Sequence, residues 1–265
     1  MMKQISKKEA MDYLHNYGII IHFDNIYSLR YKNFFDADSN FVCYESRGCV
    51  ILKNNYVSNG IERINFDIHQ ISNEADVCAV WHYVNENEKT DNVKRGITIY
   101  ALAPLPNELT EFRSSHIFIC RGKPHEDSQI RKMIKEDEYM VKELCKDSLE
   151  NDSHFGKSEA ESFYSWFEKA RETELLGIFS ENKLAGLVSV GKIEKINIAE
   201  IYDIFIHKDY RRLGFGKRLT ESALSLYPNI DYIIHISKQN TASIELAKSL
   251  GFEFAGSRIF ALFES

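Results

Sequence analysis

The sequence predicts an α/β protein of layered α+β type, and three observations carry that reading. Segments rich in Ile, Val, Leu and Phe alternate with amphipathic segments along the chain. A strand, a glycine-bearing turn and a helix succeed one another near "DYRRLGFGKRLTES" (209–222). Two loop-like stretches interrupt the pattern: "APLPNELTEFRSS" (103–115) holds two of the four prolines and "RGKPHEDSQ" (121–129) a third. The second is taken as the boundary, because the residues C-terminal to it read as a complete unit. Residues 1–124 are then a smaller N-terminal α/β domain and residues 125–265 the main domain.

In the N-terminal part, "IERINFDIHQI" (61–71) reads as a helix, and "ADVCAVWHYV" (75–84) and "GITIYAL" (96–102) as strands. No catalytic pattern is visible there. Aromatic residues such as Phe34, Phe35, Trp81 and Tyr83 could line a cleft, although burial is the commoner fate of such side chains.

The second part is more legible. "QIRKMIK" (129–135) reads as a short strand and "EDEYMVKELCKDSL" as a helix with an acidic start. "KSEAESFYSWFEKAR" (157–171) is a second helix, with Phe163, Trp166, Phe167 and Ala170 at helical spacing. "ELLGIFSENKLAGLVSVGKI" (174–193) is two strands joined at Ser-Glu-Asn. "NIAEIYDIFIH" (197–207) is a largely apolar, central strand. After the glycines, Phe215, Leu219, Ala223 and Leu226 form one helical stripe, ended by Pro228 and Asn229. "DYIIHIS" (231–237) is a strand. "TASIELAKSL" is a helix stopped by Gly251 with Phe252 behind it, and "FEFAGSRIFALF" closes the sheet.

A helix start presents N–H groups without intrahelical acceptors and the positive end of the dipole, so it suits phosphate. Cationic and glycine residues at such a start are consistent with an anion site and equally with a solvated turn. The loop is neither a Walker A sequence nor the dinucleotide G-x-G-x-x-G pattern.

Context decides between these readings. "IFIHKDYRRLGFGKRL" is an apolar strand, then [QR]-x-x-G-x-[GA], then a helix. "NTASIELAKSLGF" comes next, with Asn240, Ser243, Leu246, Gly251 and Phe252 at N-x-x-[AS]-x-x-L…G-F. In this order and spacing, residues 129–265 resemble the GNAT superfamily of acyl-CoA-dependent N-acyltransferases. The resemblance covers about half the chain and implies a GNAT fold with a mixed, mostly antiparallel central sheet. It implies acetyl-CoA as co-substrate, no metal, and direct transfer to a primary amine of a small molecule, peptide or protein. By the same resemblance, backbone amides across Arg212, Leu213, Gly214, Phe215, Gly216 and Lys217 cradle the pyrophosphate, and Arg211 and Arg212 add charge. Ile204, Phe205 and Ile206 pair with the pantetheine amides as an added strand would, and Asn240 contacts the coenzyme. Chains of this length with such a C-terminal unit often resemble tandem proteins with a degenerate GNAT-like first half. Residues 1–124 are compatible with that and with an unrelated α/β cap, either of which could shape the acceptor side or carry a homodimer interface.

Amine acylation by a thioester needs a deprotonated amine and often an acid for the thiolate. Glu200 is the first base candidate: "AEIYDIFIHKDYRRLGFG" aligns without gaps on the histone-acetylating branch, whose base is the glutamate of a similar strand. His235 is the second. It lies five residues before Asn240, where ribosomal-protein alanine acetyltransferases carry their base, and imidazole suits base work near neutral pH. Regular strand alternation would turn Asp203 to the opposite face from Glu200. The family's usual acid, a tyrosine seven residues after the motif asparagine, is here Ala247. Ser243 stands where some ribosomal-protein acetyltransferases have a serine given that part. Tyr202, Tyr210 and Tyr232 are not distinguished. The departure at Ala247 keeps a second reading open, a GNAT fold that binds acyl-CoA as a sensor or scaffold.

The net charge of −6 and the lack of aromatic–basic clusters argue against a nucleic-acid binder. The five cysteines are scattered without C-x-x-C, which suggests neither a disulfide framework nor zinc. "MMKQISKKEAMDYLHNYG" lacks the apolar core of a signal peptide, and apolar runs are too short for a bilayer. A soluble, cytoplasmic protein with no membrane partner is the expectation.

Overall fold

The computed structural model describes residues 2–16, 41–58, 61–72, 74–87, 94–101, 113–152, 155–157, 160–161, 163–164, 173–193 and 197–263. Phe34, Phe35, Trp166, Phe167 and Ala170 lie outside them. The strands are β1 (Lys3–Ile5), β2 (Phe41–Ser46), β3 (Cys49–Ser58), β4 (Ile61–Gln70), β5 (Lys94–Ala101), β6 (Arg113–Arg121), β7 (Ile130–Lys132), β8 (Thr173–Ser180), β9 (Lys183–Ile193), β10 (Ile198–Ile206), β11 (Asp231–Ser237) and β12 (Glu253–Phe263). The helices are α1 (Lys7–Asn16), α2 (Val77–Asn87), α3 (Glu138–Asn151), α4 (Phe215–Ser225) and α5 (Thr241–Ser249). This is the mixed α/β, mostly antiparallel architecture that the sequence predicts.

Two compact units are present. One comprises Met1–Phe118, Ile236–Asn240 and Phe254–Ser265; the other comprises Ile119–His235 and Thr241–Glu253. In the first, β1, β2, β3 and β4 pair antiparallel in sequence order, β5 lies parallel to β4 after the α2 crossover, and β12 pairs antiparallel with β5. In the second, β7, β8, β9 and β10 pair antiparallel in sequence order, and β11 lies parallel to β10 after the α4 crossover. The two units thus share one plan, four antiparallel strands and then a helix that returns the chain to a parallel fifth. A parallel pair needs such a crossover.

Two expected elements are exchanged. Residues 61–70 are β4, not a helix: Phe66 and Ile68 are wholly buried with Ile64 beside them, a period of two. Residues 77–87 are α2, not a strand: Val77, Val80, Trp81 and Val84 recur at i, i+3, i+4 and i+7 and are buried on one stripe. The β-branched content of that segment favours a strand locally, and packing of the stripe onto Ile51, Phe66, Ile97 and Ile259 overrides it. Trp81 is core, whereas Tyr83 is 41% exposed.

The second core joins Val141, Leu144 and Cys145 of α3 to Leu175, Leu187 and Phe205 of the sheet. Burial pushes the thiols of Cys49 and Cys145 up to about 12, so both act as packing groups. The β8–β9 connection turns on Glu181 and Asn182, with φ of 48° and 66°, the left-handed pair a tight hairpin requires. Helix α5 ends as the sequence predicts: Gly251 has φ of 88°, its N–H donates to Lys248 C=O, and the Phe252 N–H donates to Ala247 C=O.

Candidate active site

Strand β10 organises the second unit. Its ladder with β11 ends at Ile201↔Ile234, yet it stays paired with β9 as far as Ile206↔Gly186. From Asp203 to Ile206 β10 therefore has no ladder partner on the β11 side, and on that stretch the Ile206 C=O accepts from Arg211 Nε. Ile204, Phe205 and Ile206 lie on this edge.

The chain then turns through His207 and Lys208–Tyr210 into the glycine loop. Arg212 and Gly214 both have left-handed backbones, with φ of 64° and 82°. Gly214 is the N-cap of α4, and a Cβ placed on it would meet nothing within 4 Å. The glycine is needed for its φ, and the space before it is open. A Cβ on Gly216 would make ordinary contacts, 3.5 Å from Leu246 Cδ2 and 3.7 Å from Ile206 Cγ1. Protein packing alone therefore does not require a glycine at 216. The first intrahelical bond of α4 runs from Arg218 N–H to Gly214 C=O at 3.2 Å, so the N–H groups of Phe215, Gly216 and Lys217 project beyond the helix. No acidic residue stands in that first turn.

The basic side chains divide into two sets. Arg211 is committed to protein: its Nη2 pairs with the buried carboxylate of Asp152 and its Nε donates to Ile206 C=O at 3.0 Å. Arg218 forks onto Asp127 at 2.6 and 2.7 Å, which holds that carboxyl below its ordinary range. Arg212 and Lys217 have exposed side chains at the loop, Lys217 lying 4.0 Å from Glu221. His207, buried, bonds Asp147 of α3 at 2.5 Å through Nε2, and this bond lowers the Asp147 pKa. The loop is thus fastened to the C-terminal half of α3 at two points. No motif in the sequence marks these clasps, because Asp147 and Asp152 lie 59 or more residues from their partners.

The two base candidates come together. Glu200 is 8% exposed, and its Oε1 lies 3.8 Å from His235 Nε2. In the parallel ladder Glu200 faces Ile233, so His235 sits one same-face step further along β11. Both stand where the β10–β11 ladder ends. Asp203 does not face away from Glu200 as regular alternation predicts. The register slips at Tyr202: Ile201 faces Val190 and Asp203 faces Ser189, so Tyr202 is an extra residue, a β-bulge. The tyrosines are now distinguished. Tyr232 is wholly buried, its hydroxyl accepts the Tyr227 N–H at 2.9 Å, and burial pushes its pKa up to about 12, so it is structural. Tyr210 stacks toward Phe215 at 5.8 Å. Tyr202 is 46% exposed at the bulge. Ala247 is 4% exposed on α5, with Ser243 one turn earlier and partly exposed. Asn240, exposed and bonded through its N–H to Ser237 C=O, precedes α5 and is counted with the first unit. Among the described residues no group of three or more His, Cys, Asp or Glu is placed to hold a metal, and no helix is long and apolar enough to cross a membrane.

Comparison with known proteins bears on this geometry. Residues 138–252 match the Acetyltransferase (GNAT) family model. An uncharacterized N-acetyltransferase of Methanocaldococcus jannaschii is 26% identical over 43% of this chain, which spans 61% of that relative's length. Among solved structures, a GCN5-related N-acetyltransferase from Sphaerobacter thermophilus aligns with a TM-score of 0.57 at 9% identity, over 100% of this chain and 95% of that one. A tandem GNAT protein from the clavulanic acid biosynthesis pathway aligns with a TM-score of 0.54 at 14% identity, over 100% and 98%. At such identities the structures speak to fold, and they do so over the full length. The family match spans the glycine loop, the Glu200–His235 pair and α5, so this part of the chain is similar to the GNAT acetyltransferases.

Proposed function

We propose that this chain is an acetyl-CoA-dependent N-acetyltransferase that acts by direct transfer on a primary amine. The observation that carries the reading is the end of the β10–β11 ladder beside a glycine loop, with Glu200 and His235 at that end. The chemistry fits the coenzyme: amide-edge backbone along Ile204–Ile206 for pantetheine, and for pyrophosphate the α4 N–H groups with Arg212 and Lys217. Arg211 holds the loop in place through Asp152 and Ile206 C=O.

Acetyl-CoA supplies an activated acyl group and a thiolate leaving group. Glu200 takes the proton of the incoming ammonium; the amine nitrogen then forms the new C–N bond, the C–S bond breaks, and the proton that the nitrogen sheds as it becomes an amide passes through solvent to the departing thiolate. His235, whose Nε2 lies 3.8 Å from that carboxylate, is the reserve base. No covalent enzyme intermediate is required, and much of the acceleration comes from holding the two substrates together.

A second reading has one observation in its favour. Ala247, at the position of the family's usual acid tyrosine, is buried and cannot donate a proton. Either another group protonates the thiolate, or the thiolate leaves unaided, or the chain is a non-catalytic acyl-CoA sensor. Thiol release from acetyl-CoA with a panel of primary amines, beside calorimetric binding of acetyl-CoA, separates the two. Amine-dependent thiol release is expected. Tight binding with no release from any amine would leave the sensor reading.

A further inference from the structure

The C-terminal end of α3 and the residues just after it meet the chain that leaves β10 at successive places. The Phe155 ring lies 4.3 Å from that of Phe205, inside the core of the second unit. Two residues along, buried His207 reaches Asp147. Its Nδ1 accepts the Asp209 N–H at 3.4 Å, which leaves the ring proton on Nε2, donated to Asp147 Oδ2 at 2.5 Å. Asn151 donates to the other oxygen of that carboxylate at 2.8 Å and holds it in place. Then Asp152, at the C-cap of α3, pairs with Arg211. The backbone of His207 is tied as well: its N–H donates to Ala185 C=O at 3.0 Å, and its C=O accepts the Tyr210 N–H at 2.9 Å. The Tyr210 ring follows, 5.9 Å from that of His207 and 5.8 Å from that of Phe215, the first residue of α4. His207 is thus the joint between β10 and the glycine loop, and α3 holds it. The loop beyond contains Arg212 at a φ of 64°, a backbone that a side chain disfavours and that persists only where the surroundings impose it.

We propose that His207 and Asp147 are positioning residues for the coenzyme: through their bond, α3 holds the glycine loop in the conformation that receives pyrophosphate. The inference rests on the function proposed above. Neither side chain needs to touch the coenzyme. Without the bond the loop samples other conformations, and the apparent affinity falls with the fraction of molecules in the competent one. Bound acetyl-CoA restores that conformation, so the chemical step at saturation is untouched. The sign of the effect separates positioning from a plain charge effect. Deleting the Asp147 carboxylate beside a loop that takes phosphate would, through charge alone, tighten the binding of an anion. Positioning requires the opposite.

The test measures acetyl-CoA binding by calorimetry, and KM and kcat by thiol release, on the full chain. Asp147→Ala should weaken acetyl-CoA binding and raise its KM by about tenfold, the scale of a hydrogen bond to a charged group, with kcat nearly unchanged. Asp147→Asn keeps an acceptor for the Nε2–H and should recover most of the affinity. The Asp147→Ala, His207→Ala double variant should bind little worse than His207→Ala alone, because both changes remove one bond. A purely structural role would lower kcat through fewer folded molecules and leave KM as it was. That result overturns the proposal, and so does unchanged or tighter binding in Asp147→Ala. If no amine releases thiol, the enzyme reading fails by itself and calorimetry carries the comparison. If the wild type binds no acetyl-CoA, the coenzyme reading fails. Hydrogen exchange at the Tyr210 and Arg211 amides then decides this one: faster exchange in Asp147→Ala than in the wild type supports the hold of α3 on the loop, and equal exchange overturns it.

Discussion

In the first unit β4 and β5 stay paired through seven register positions, Arg63↔Lys94 to His69↔Tyr100; in the second, β10 and β11 pair through four, Ile198↔Asp231 to Ile201↔Ile234. The strands themselves correspond closely. The Ile71 N–H donates to Gly48 C=O just after β4, and the His207 N–H to Ala185 C=O just after β10. Counting back from these, Asp67 matches Asp203, Phe66 matches Ile201 and Asn65 matches Glu200, with Tyr202 the one inserted residue. Across the parallel ladder Thr98 then matches His235. The first unit thus carries a neutral amide and a hydroxyl where the second carries the candidate base pair. Its helix start differs too. The chain from Ile71 to Asp76 has no glycine, and the Asp76 carboxylate caps α2 by accepting the Ala79 N–H at 2.9 Å while pairing with Arg47 at 3.2 Å. In the second unit that place is left to Gly214. One strand plan therefore serves two ends: a closed ladder with a carboxylate-capped helix, and an interrupted ladder with a cationic, uncapped helix. The second unit differs from the first by what is withheld, a ladder partner and a cap, and the function proposed above places the coenzyme there.

The largest effect expected from breaking the comparison is at the base. Glu200→Gln gives the second unit an amide like that of Asn65, and turnover should fall by ~10²–10⁴ with acetyl-CoA affinity nearly unchanged. Steady-state thiol release and calorimetry on one preparation check both halves, and full turnover would move the base to His235. Next in size is Gly214→Asp, which places a carboxylate at the start of α4 as Asp76 does at α2. Its charge would face the phosphate in the binding proposed above, and its Cβ strains a φ of 82°. Affinity for acetyl-CoA should drop by about tenfold or more, with a stability cost of ~1–2 kcal/mol for the left-handed backbone.

The reverse change is smaller. Asp76→Ala removes the cap of α2 and should cost ~1 kcal/mol in denaturant unfolding while leaving acetyl-CoA binding as it was. A loss of binding would show that the first unit takes part in holding the coenzyme. The smallest effect is a pH dependence. The Asp127 carboxyl is held low by Arg218, so its contribution is present above the unfolded carboxylate value of about 3.9. It is lost as pH falls through the lower folded value. The unfolding midpoint should therefore decline in acid, and Asp127→Asn should flatten the decline and lower stability near neutrality by ~1 kcal/mol.

Legibility tracked the range of the interactions. The glycine loop, α4 and the Schellman end of α5 were readable because each is a local pattern: a left-handed backbone, an apolar stripe and a two-bond cap within a few residues. The interchange of β4 and α2 arose because local propensity did not decide either segment: in α2 the β-branched content favours a strand, and burial of its stripe against distant partners overrode it. The bulge had no local signal. Tyr202 is the extra residue only relative to β9, where Gly191 leaves room for its ring.

The sequence by itself determined the fold class, the glycine loop before α4 and the residue types at the end of β10 and β11, since these rest on spacing and covalent chemistry. Tertiary structure decided where the parallel ladder stops, that Glu200 and His235 meet at 3.8 Å, and that Asp203 turns to the same face. It also decided that Arg211 serves Asp152 and that Phe254–Ser265 joins the first unit through β5. These outcomes depend on register between strands far apart in the chain, and a shift of one residue reverses every side chain's face.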